Sequence, residues 1–436
     1  MLWRASWVIS VDPAIGTVAD GAVIVEGDSI VEVGPYQRLS GLYSGPVKEF
    51  PKGIIMPGLF NAHTHAAMVA FRGFADDLPL DVWLQDHIWP GERAAVSPDF
   101  ISSAAKIALH EMLTSGTTCF ADMYFFQDRM AEAVLSAGLR AVLVEGVIDF
   151  PTPSAPTPEH GKRNALEFIK TWQDNHRIFP GIGLHAPYTC SEELLKWGAR
   201  TAEQEGVPLH IHLSETEKEV QTIRDRTGTT PVRYLSEIGA LVPGLVGAHG
   251  VWVDQEEMVL LRDAGAGVAS CPQSNAKLGS GTAPIGDYME TGVKLGLGTD
   301  GPASNNDLDM FDEMRFAALI QKGVNLEPTA LPASAVIEMA SLGGARLYGL
   351  DSKMGSLSPG KLADFIVVDT SGSHARPVWS PESHIVYSAK SSDVRYVVIG
   401  GKVVVEEGEV LTISQQEINA AEAVIRDKLQ EVRSCT

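Results

Sequence analysis

The residues best equipped for chemistry fall into four short groups. His63 and His65 sit one residue apart in Phe60-Asn61-Ala62-His63-Thr64-His65, directly after the apolar run Ile54-Ile55-Met56 and the turn pair Pro57-Gly58. On a strand, residues i and i+2 share a face, so both imidazoles would address one point in space. Neutral imidazole is a good ligand for zinc or iron. A surface pair would show the same spacing, so two histidines alone decide nothing. Three further groups give the pair its context: His210-Ile211-His212-Leu213-Ser214-Glu215, Gly247-Ala248-His249-Gly250 and Gly298-Thr299-Asp300-Gly301. Each closes a short apolar run, the pattern expected when strand tips converge on one metal.

The elements that must position these groups can be read from the alternation of apolar strands and helical stretches. Eight strand candidates end near His65, Met123, Asp149, Pro187, Leu213, His249, Cys271 and Asp300, each followed by a helix-like stretch such as Ser191 to Glu205 or Asp254 to Ala264. Eight such units in about 290 residues predict a TIM-type (β/α)8 barrel, whose functional groups sit at the C-terminal ends of its strands. A doubly wound open sheet is the alternative, but no GxGxxG opens the first helix. His63, His65, His185, His212, His249 and Asp300 all fall at predicted strand tips.

Residues 1–57 read as successive short strands, with turns at Asp12-Pro13, Ala19-Asp20-Gly21 and Glu26-Gly27-Asp28. The same texture returns at 363–369 and 394–405, the latter with a Gly400-Gly401 hairpin turn. One small β-sandwich domain built from both chain ends, 1–57 with 356–436, is therefore expected around a catalytic barrel at 58–355. The stretch from Ser414 to Arg433 has a helical pattern.

The bulk properties exclude several function classes. No apolar run reaches the roughly 18 residues needed to span a bilayer. The net charge of −21 repels phosphate backbones and anionic membranes, so neither nucleic acid nor membrane is expected as a partner. Cys119, Cys190, Cys271 and Cys435 form no CxxC pair, and the opening segment reads as a strand and not as a signal peptide. Reduced thiols in a cytoplasmic protein are expected, three packed near strand ends and Cys435 in the tail.

The motifs resemble the amidohydrolase superfamily and, within it, the 5-methylthioadenosine/S-adenosylhomocysteine deaminase family, which is itself similar to the triazine hydrolases. The residues that carry the resemblance are Pro57 to His65, His185-Ala186-Pro187-Tyr188-Thr189-Cys190, His210 to Thr216, and Gly298 to Asn306. It runs nearly end to end, to Gly355-Ser356-Leu357-Ser358-Pro359-Gly360-Lys361-Leu362-Ala363-Asp364. Chemistry and resemblance together imply one divalent ion per subunit, Zn2+ with Fe2+ as the alternative, held by His63, His65, His212 and Asp300. Binuclear members place a bridging lysine on the fourth strand, where this chain reads Gly181 to Ala186 without one. His210 is read as a supporting residue that does not touch the ion.

The same resemblance implies a hydrolytic deaminase acting on 5′-methylthioadenosine, S-adenosylhomocysteine or adenosine. A metal lowers the pKa of its water toward ~7. Asp300 would take the water's proton, Glu215 would protonate a ring nitrogen, and His249 would orient the nucleophile. Glu215 also suits a helix start, and both roles are compatible. Glu92 occupies the position that binds ribose hydroxyls in the resembling deaminases, and His185 is expected to contact purine or ribose. Trp83 would cover a ring or simply pack its helix. For a homocysteine tail, Arg163 is the candidate partner of the carboxylate, while Glu145 at the third strand end argues against that tail. The alternative is a related hydrolase acting on guanine, cytosine or a chlorotriazine, and a homo-oligomer is left open.

Overall fold

The computed structural model describes residues 1–435, with side chains described through Gln430. The Cys435 side chain lies outside the described residues. Eight parallel strands form the central sheet: β1 (Leu59–Thr64), β2 (Thr117–Tyr124), β3 (Arg140–Val147), β4 (Ile178–Leu184), β5 (Leu209–Leu213), β6 (Leu245–His249), β7 (Gly267–Ser270) and β8 (Lys294–Leu297). They pair in sequence order, β1 beside β2 and onward to β8. This is the expected (β/α)8 barrel, and the expected strand ends fall within about three residues of the observed ones.

The ring closes between β8 and β1 by a different means from the ladders elsewhere. The Asn61 amide donates to the Thr299 hydroxyl at 2.8 Å, and its carbonyl oxygen accepts the Thr299 N–H at 3.0 Å. The Asp300 N–H donates to the His63 carbonyl at 3.0 Å. At Gly298 a Cβ would lie 2.6 Å from the His63 nitrogen, so only glycine lets the two strands meet there.

Both chain ends build a second, mixed eight-stranded sheet. Its strands are Leu2–Ile9, Thr17–Glu26, Ser29–Pro35, Val47–Pro57, Phe365–Asp369, Val394–Ile399, Lys402–Glu406 and Glu409–Val410. Leu2–Ile9 runs parallel to Val47–Pro57, and the other pairings are antiparallel. The sheet curls so that Val33, near one edge, and Val398, toward the other, share one core with Trp3, Phe365 and Tyr396. A buried ion pair, Arg140 Nε to Asp364 Oδ2 at 2.7 Å, ties this sheet to the base of β3. The last helix, Gln415–Cys435, lies along the barrel helix Pro98–Thr114, with Ala421 and Ile425 buried. No described helix is long and apolar enough to cross a membrane. Cys119, Cys190 and Cys271 are buried free thiols.

Candidate active site

The barrel strands deliver their polar residues to one end. His63 is buried in β1, His65 follows its tip, and His212 and His249 come from the ends of β5 and β6. Asp300 follows β8. Ser214, His249 and Asp300 all take left-handed backbone conformations, at φ of 50°, 72° and 62°. Non-glycine residues rarely adopt that region, and such strain collects where a side chain must be aimed.

Hydrogen bonds determine which ring nitrogens face inward. His65 Nδ1 contacts the Met123 carbonyl, and His212 Nδ1 lies 2.6 Å from the His185 carbonyl. A carbonyl can only accept, so each ring carries its proton on Nδ1 and leaves a lone pair on Nε2. Those two Nε2 atoms lie 3.1 Å apart. Two acceptors at that distance repel unless a cation lies between them. His63 Nε2 is buried without a hydrogen-bond partner, 3.4 Å from Asp300 Oδ1. His65 Nε2 is also 3.4 Å from that oxygen. The other Asp300 oxygen accepts from Ser274 and Ser304, both at 2.6 Å, which leaves Oδ1 turned to the imidazoles. The ligand atoms of His63, His212, His249 and Asp300 all lie within 4.8 Å of one another. This orphaned nitrogen, the facing lone pairs and the N/O donor set fit a divalent metal ion.

Beside this cluster, Glu215 and His249 form a second pair. Glu215 Oε2 lies 3.8 Å from His249 Nε2, and Glu215 Oε1 accepts from the Ser280 hydroxyl at 3.3 Å. His249 Nδ1 is held by Asn275 Oδ1 at 2.9 Å, which again turns Nε2 inward. Burial, reinforced by the nearby Asp300 charge, raises the Glu215 pKa. Burial opposes charge on His249, but Glu215 and Asp300 outweigh it and raise its pKa. Glu215 also begins the stretch before the helix Glu217–Thr227, where the Glu219 carboxylate accepts the Ser214 and Glu215 N–H groups. The helix itself is capped by Thr216, whose hydroxyl accepts the Glu219 N–H at 3.1 Å, with Glu215 one residue before the cap.

The pocket over the cluster is walled by Trp83, Trp89, Glu92, Phe150, His185 and Tyr188, with His65, His212, Glu215, His249 and Asp300 at its floor. Trp83 is buried in a π-helical turn, Trp83–Ile88, of the kind that recurs at functional sites. Glu92, on the helix Trp89–Ala95, is buried and accepts the Tyr124 hydroxyl at 2.7 Å. Burial pushes its pKa up to about 7. His185 follows β4, with Nδ1 2.8 Å from the Thr189 hydroxyl, and burial pushes its pKa down to about 3. Trp89 meets Phe150 edge-on at 5.1 Å and His185 at 6.3 Å, which makes one wall aromatic.

Two expectations for the far end of the pocket are corrected. Arg163 is exposed on the helix Pro158–Trp172 and lines no part of the pocket, because its turn of the helix buries Gly161 and Ala165 instead. Glu145 is buried and turned away, accepting the Phe126 and Gln127 N–H groups at the start of the next helix. Successive strand residues face opposite sides, and Gly146 is the one that borders the pocket. The segment after β3 lines the pocket with Ile148, Phe150, Pro151, Thr152 and Pro153, Phe125 adds another ring, and Arg93 is the one lysine or arginine among the described lining residues. Tyr124, Asn275 and the aromatic wall had no signal in spacing, because each contacts the site across sequence gaps. Ser304 lay within a motif already singled out, four residues past Asp300, and a helical-turn spacing was its only hint.

These features define a metal-dependent hydrolase class, and the chain belongs to the amidohydrolase family, whose pattern it matches over residues 54–404. Within that family it is 46% identical over 412 residues to a 5-methylthioadenosine/S-adenosylhomocysteine deaminase of Syntrophobacter fumaroxidans, covering 94% of each chain. It is 44% identical over 406 residues to a 5′-deoxyadenosine deaminase of Methanothermobacter thermautotrophicus, covering 92% of this chain and 93% of that one. Among solved structures it is similar to a zinc-bound adenosine deaminase from Xanthomonas campestris, with a TM-score of 0.96, 36% identity and coverage of 99% and 98%. It is also similar to a zinc complex of the atrazine chlorohydrolase TrzN from Arthrobacter aurescens, with a TM-score of 0.91, 25% identity and coverage of 97% and 99%.

Proposed function

We propose that this protein is a hydrolytic deaminase of adenosine-type nucleosides, exchanging the 6-amino group for oxygen and releasing ammonia. The observation that carries the proposal is one pocket holding both an inward-facing His/Asp cluster and a buried carboxylate, Glu92, with an oxygen free to accept a sugar hydroxyl. A bare ring has no such hydroxyl, which favours a nucleoside over guanine, cytosine or a triazine.

His63, His65, His212 and Asp300 would hold one zinc ion per subunit, with Fe2+ the alternative that N/O donors also accept. Such an ion supplies a water that is nucleophilic near neutral pH. Glu215, kept protonated to higher pH by burial, donates its proton to the purine ring nitrogen next to the reacting carbon. His249, fixed by Asn275, orients the attacking oxygen and supports the charge that develops on it. Asp300 would take a proton from the attacking water and pass it to the departing amine. Its Oδ1 is the oxygen available, because Ser274 and Ser304 occupy Oδ2. His185 and Trp83 would line the purine, and Glu92 would accept from the ribose.

The largely apolar lining from Phe125 and the segment after β3 supports compact 5′ groups. A 5′-methylthio or 5′-deoxy carbon fits Phe125, Ile148 and Phe150, while a homocysteine tail carries charges for which the lining offers one cation, Arg93. Turnover of adenosine, 5′-deoxyadenosine, 5′-methylthioadenosine and S-adenosylhomocysteine, followed by ultraviolet absorbance, tests both parts. Failure on all four removes the deaminase reading, and a preference for S-adenosylhomocysteine removes the tail assignment.

A further inference from the structure

His65, His212 and His249 each have Nδ1 on a carbonyl or amide oxygen, whereas the second nitrogen of His63 meets another ring. Its Nδ1 lies 2.9 Å from Nε2 of another imidazole, His210. Two neutral rings can share that contact in either direction, so nothing in the pair decides which nitrogen of His63 carries the proton. The decision comes from below. Tyr348 follows the helix Gly344–Leu347 and enters the barrel floor, stacked on Phe60 at 5.8 Å. Its hydroxyl donates to the Ala62 carbonyl at 2.8 Å and also lies 2.9 Å from His210 Nδ1.

A tyrosine hydroxyl has one proton. Ala62 sits in a break of the β1–β2 register, between the paired residues Asn61 and Thr64. Its carbonyl takes the Tyr348 proton, so the Tyr348 oxygen must accept from His210 Nδ1. His210 Nε2 is then an acceptor, His63 donates to it from Nδ1, and a lone pair remains on His63 Nε2. With the opposite orientation His63 Nε2 would carry the proton and could not ligate a metal. Both rings are fully buried, so no water can rescue either arrangement.

We infer that Tyr348 is a positioning residue for the metal site: through His210 it fixes the proton on His63 Nδ1 and so makes His63 competent to bind the ion. The inference rests on the reading of His63 as a ligand. Outer partners of metal-bound imidazoles typically affect affinity by ~10–100-fold, and this relay places such a partner two residues removed from the ion.

The test is metal retention, measured as zinc remaining on the purified full chain across a chelator series. Tyr348→Phe keeps the ring on Phe60 and removes only the hydroxyl. It should lower zinc affinity by ~10–100-fold with an unchanged circular dichroism spectrum. Leu350→Ala removes packing from the same floor cluster but leaves the relay intact, and should keep zinc affinity within about twofold of wild type. His210→Phe removes the acceptor itself and should lose at least as much as Tyr348→Phe, which serves if the latter folds poorly. His63→Ala separates the two readings. If it retains zinc like wild type, His63 is not a ligand and the premise fails. If it loses zinc while Tyr348→Phe and His210→Phe hold it like wild type, the relay is refuted. Equal losses in Leu350→Ala and Tyr348→Phe would reduce Tyr348 to packing and also refute it.

Discussion

Replacing Glu92 by alanine should erase discrimination between ribonucleosides and their 2′-deoxy analogues. Glu92 is buried, and one of its oxygens already accepts from Tyr124 at 2.7 Å, so the other is left for the substrate. A hydrogen bond to a charged group contributes about 1.5–3 kcal/mol, and leaving the buried acceptor unpaired forfeits it. At 1.4 kcal/mol per decade, removing one sugar hydroxyl should cost about 10–100-fold in kcat/KM. The pKa near 7 adds a second handle. The carboxylate is about nine-tenths ionised at pH 8 and about one-tenth at pH 6. A neutral carboxyl makes only an ordinary bond of about 1 kcal/mol, so the preference should shrink to about fivefold at the acid end. Steady-state kinetics on adenosine and 2′-deoxyadenosine between pH 5.5 and 8.5, in wild type and Glu92→Ala, measure the ratio directly. A ratio that is independent of pH in wild type and unchanged in Glu92→Ala would refute the role.

The same burial makes Glu92 a stability cost. The folded chain holds its proton to about pH 7, whereas an ordinary glutamate releases it near 4.5. The favourable contribution is therefore present below about 4.5 and lost as the pH rises through 7. Glu92→Gln should gain up to about 3 kcal/mol over wild type at pH 8 and nothing near pH 4.5, read from denaturant unfolding at both pH values. Glu215→Gln should lose about 10²–10⁴-fold in kcat while keeping its metal, and near-normal turnover would remove it from proton transfer. Phe150→Ala should lower kcat/KM about tenfold for 5′-methylthioadenosine and much less for adenosine, since the lost contact is with the 5′ substituent; equal losses would move the tail elsewhere. Exhaustive chelation should abolish activity, and zinc should restore it.

The barrel was legible because each strand tip carries its own signal: an apolar run ending in His65, Leu213, His249 or Asp300 needs no knowledge of the neighbouring strands. The sheet from the two chain ends was legible for the same reason, since Asp28 and Gly400-Gly401 mark turns locally. What escaped was everything set by contact across the fold. Arg163 and Glu145 sat near the right strand end, but the face each presents depends on helix phase and on which N–H groups lie opposite. Glu145 finds the open end of the helix Gln127–Ala137, which no spacing announces. Tyr124 and Tyr348 reach the site only because barrel closure brings β2 and the segment after β8 to it. Which residue caps the helix after β5 turned on a single hydrogen bond, from the Glu219 N–H to Thr216, where the sequence offers four acidic or hydroxyl residues in a row.

The seam of the barrel lies between β8 and β1, where Asn61 and Thr299 meet across 238 residues of chain. His63 and Asp300 stand on either side of that seam, so an ion held by both is a rivet across the last joint to close. A growing chain on the ribosome has its first two imidazoles early, yet it cannot assemble the site until more than two-thirds of its length has emerged. Metal capture through both residues would thereby wait for every barrel unit between them to be made, and an ion that holds the seam would report that each has found its place.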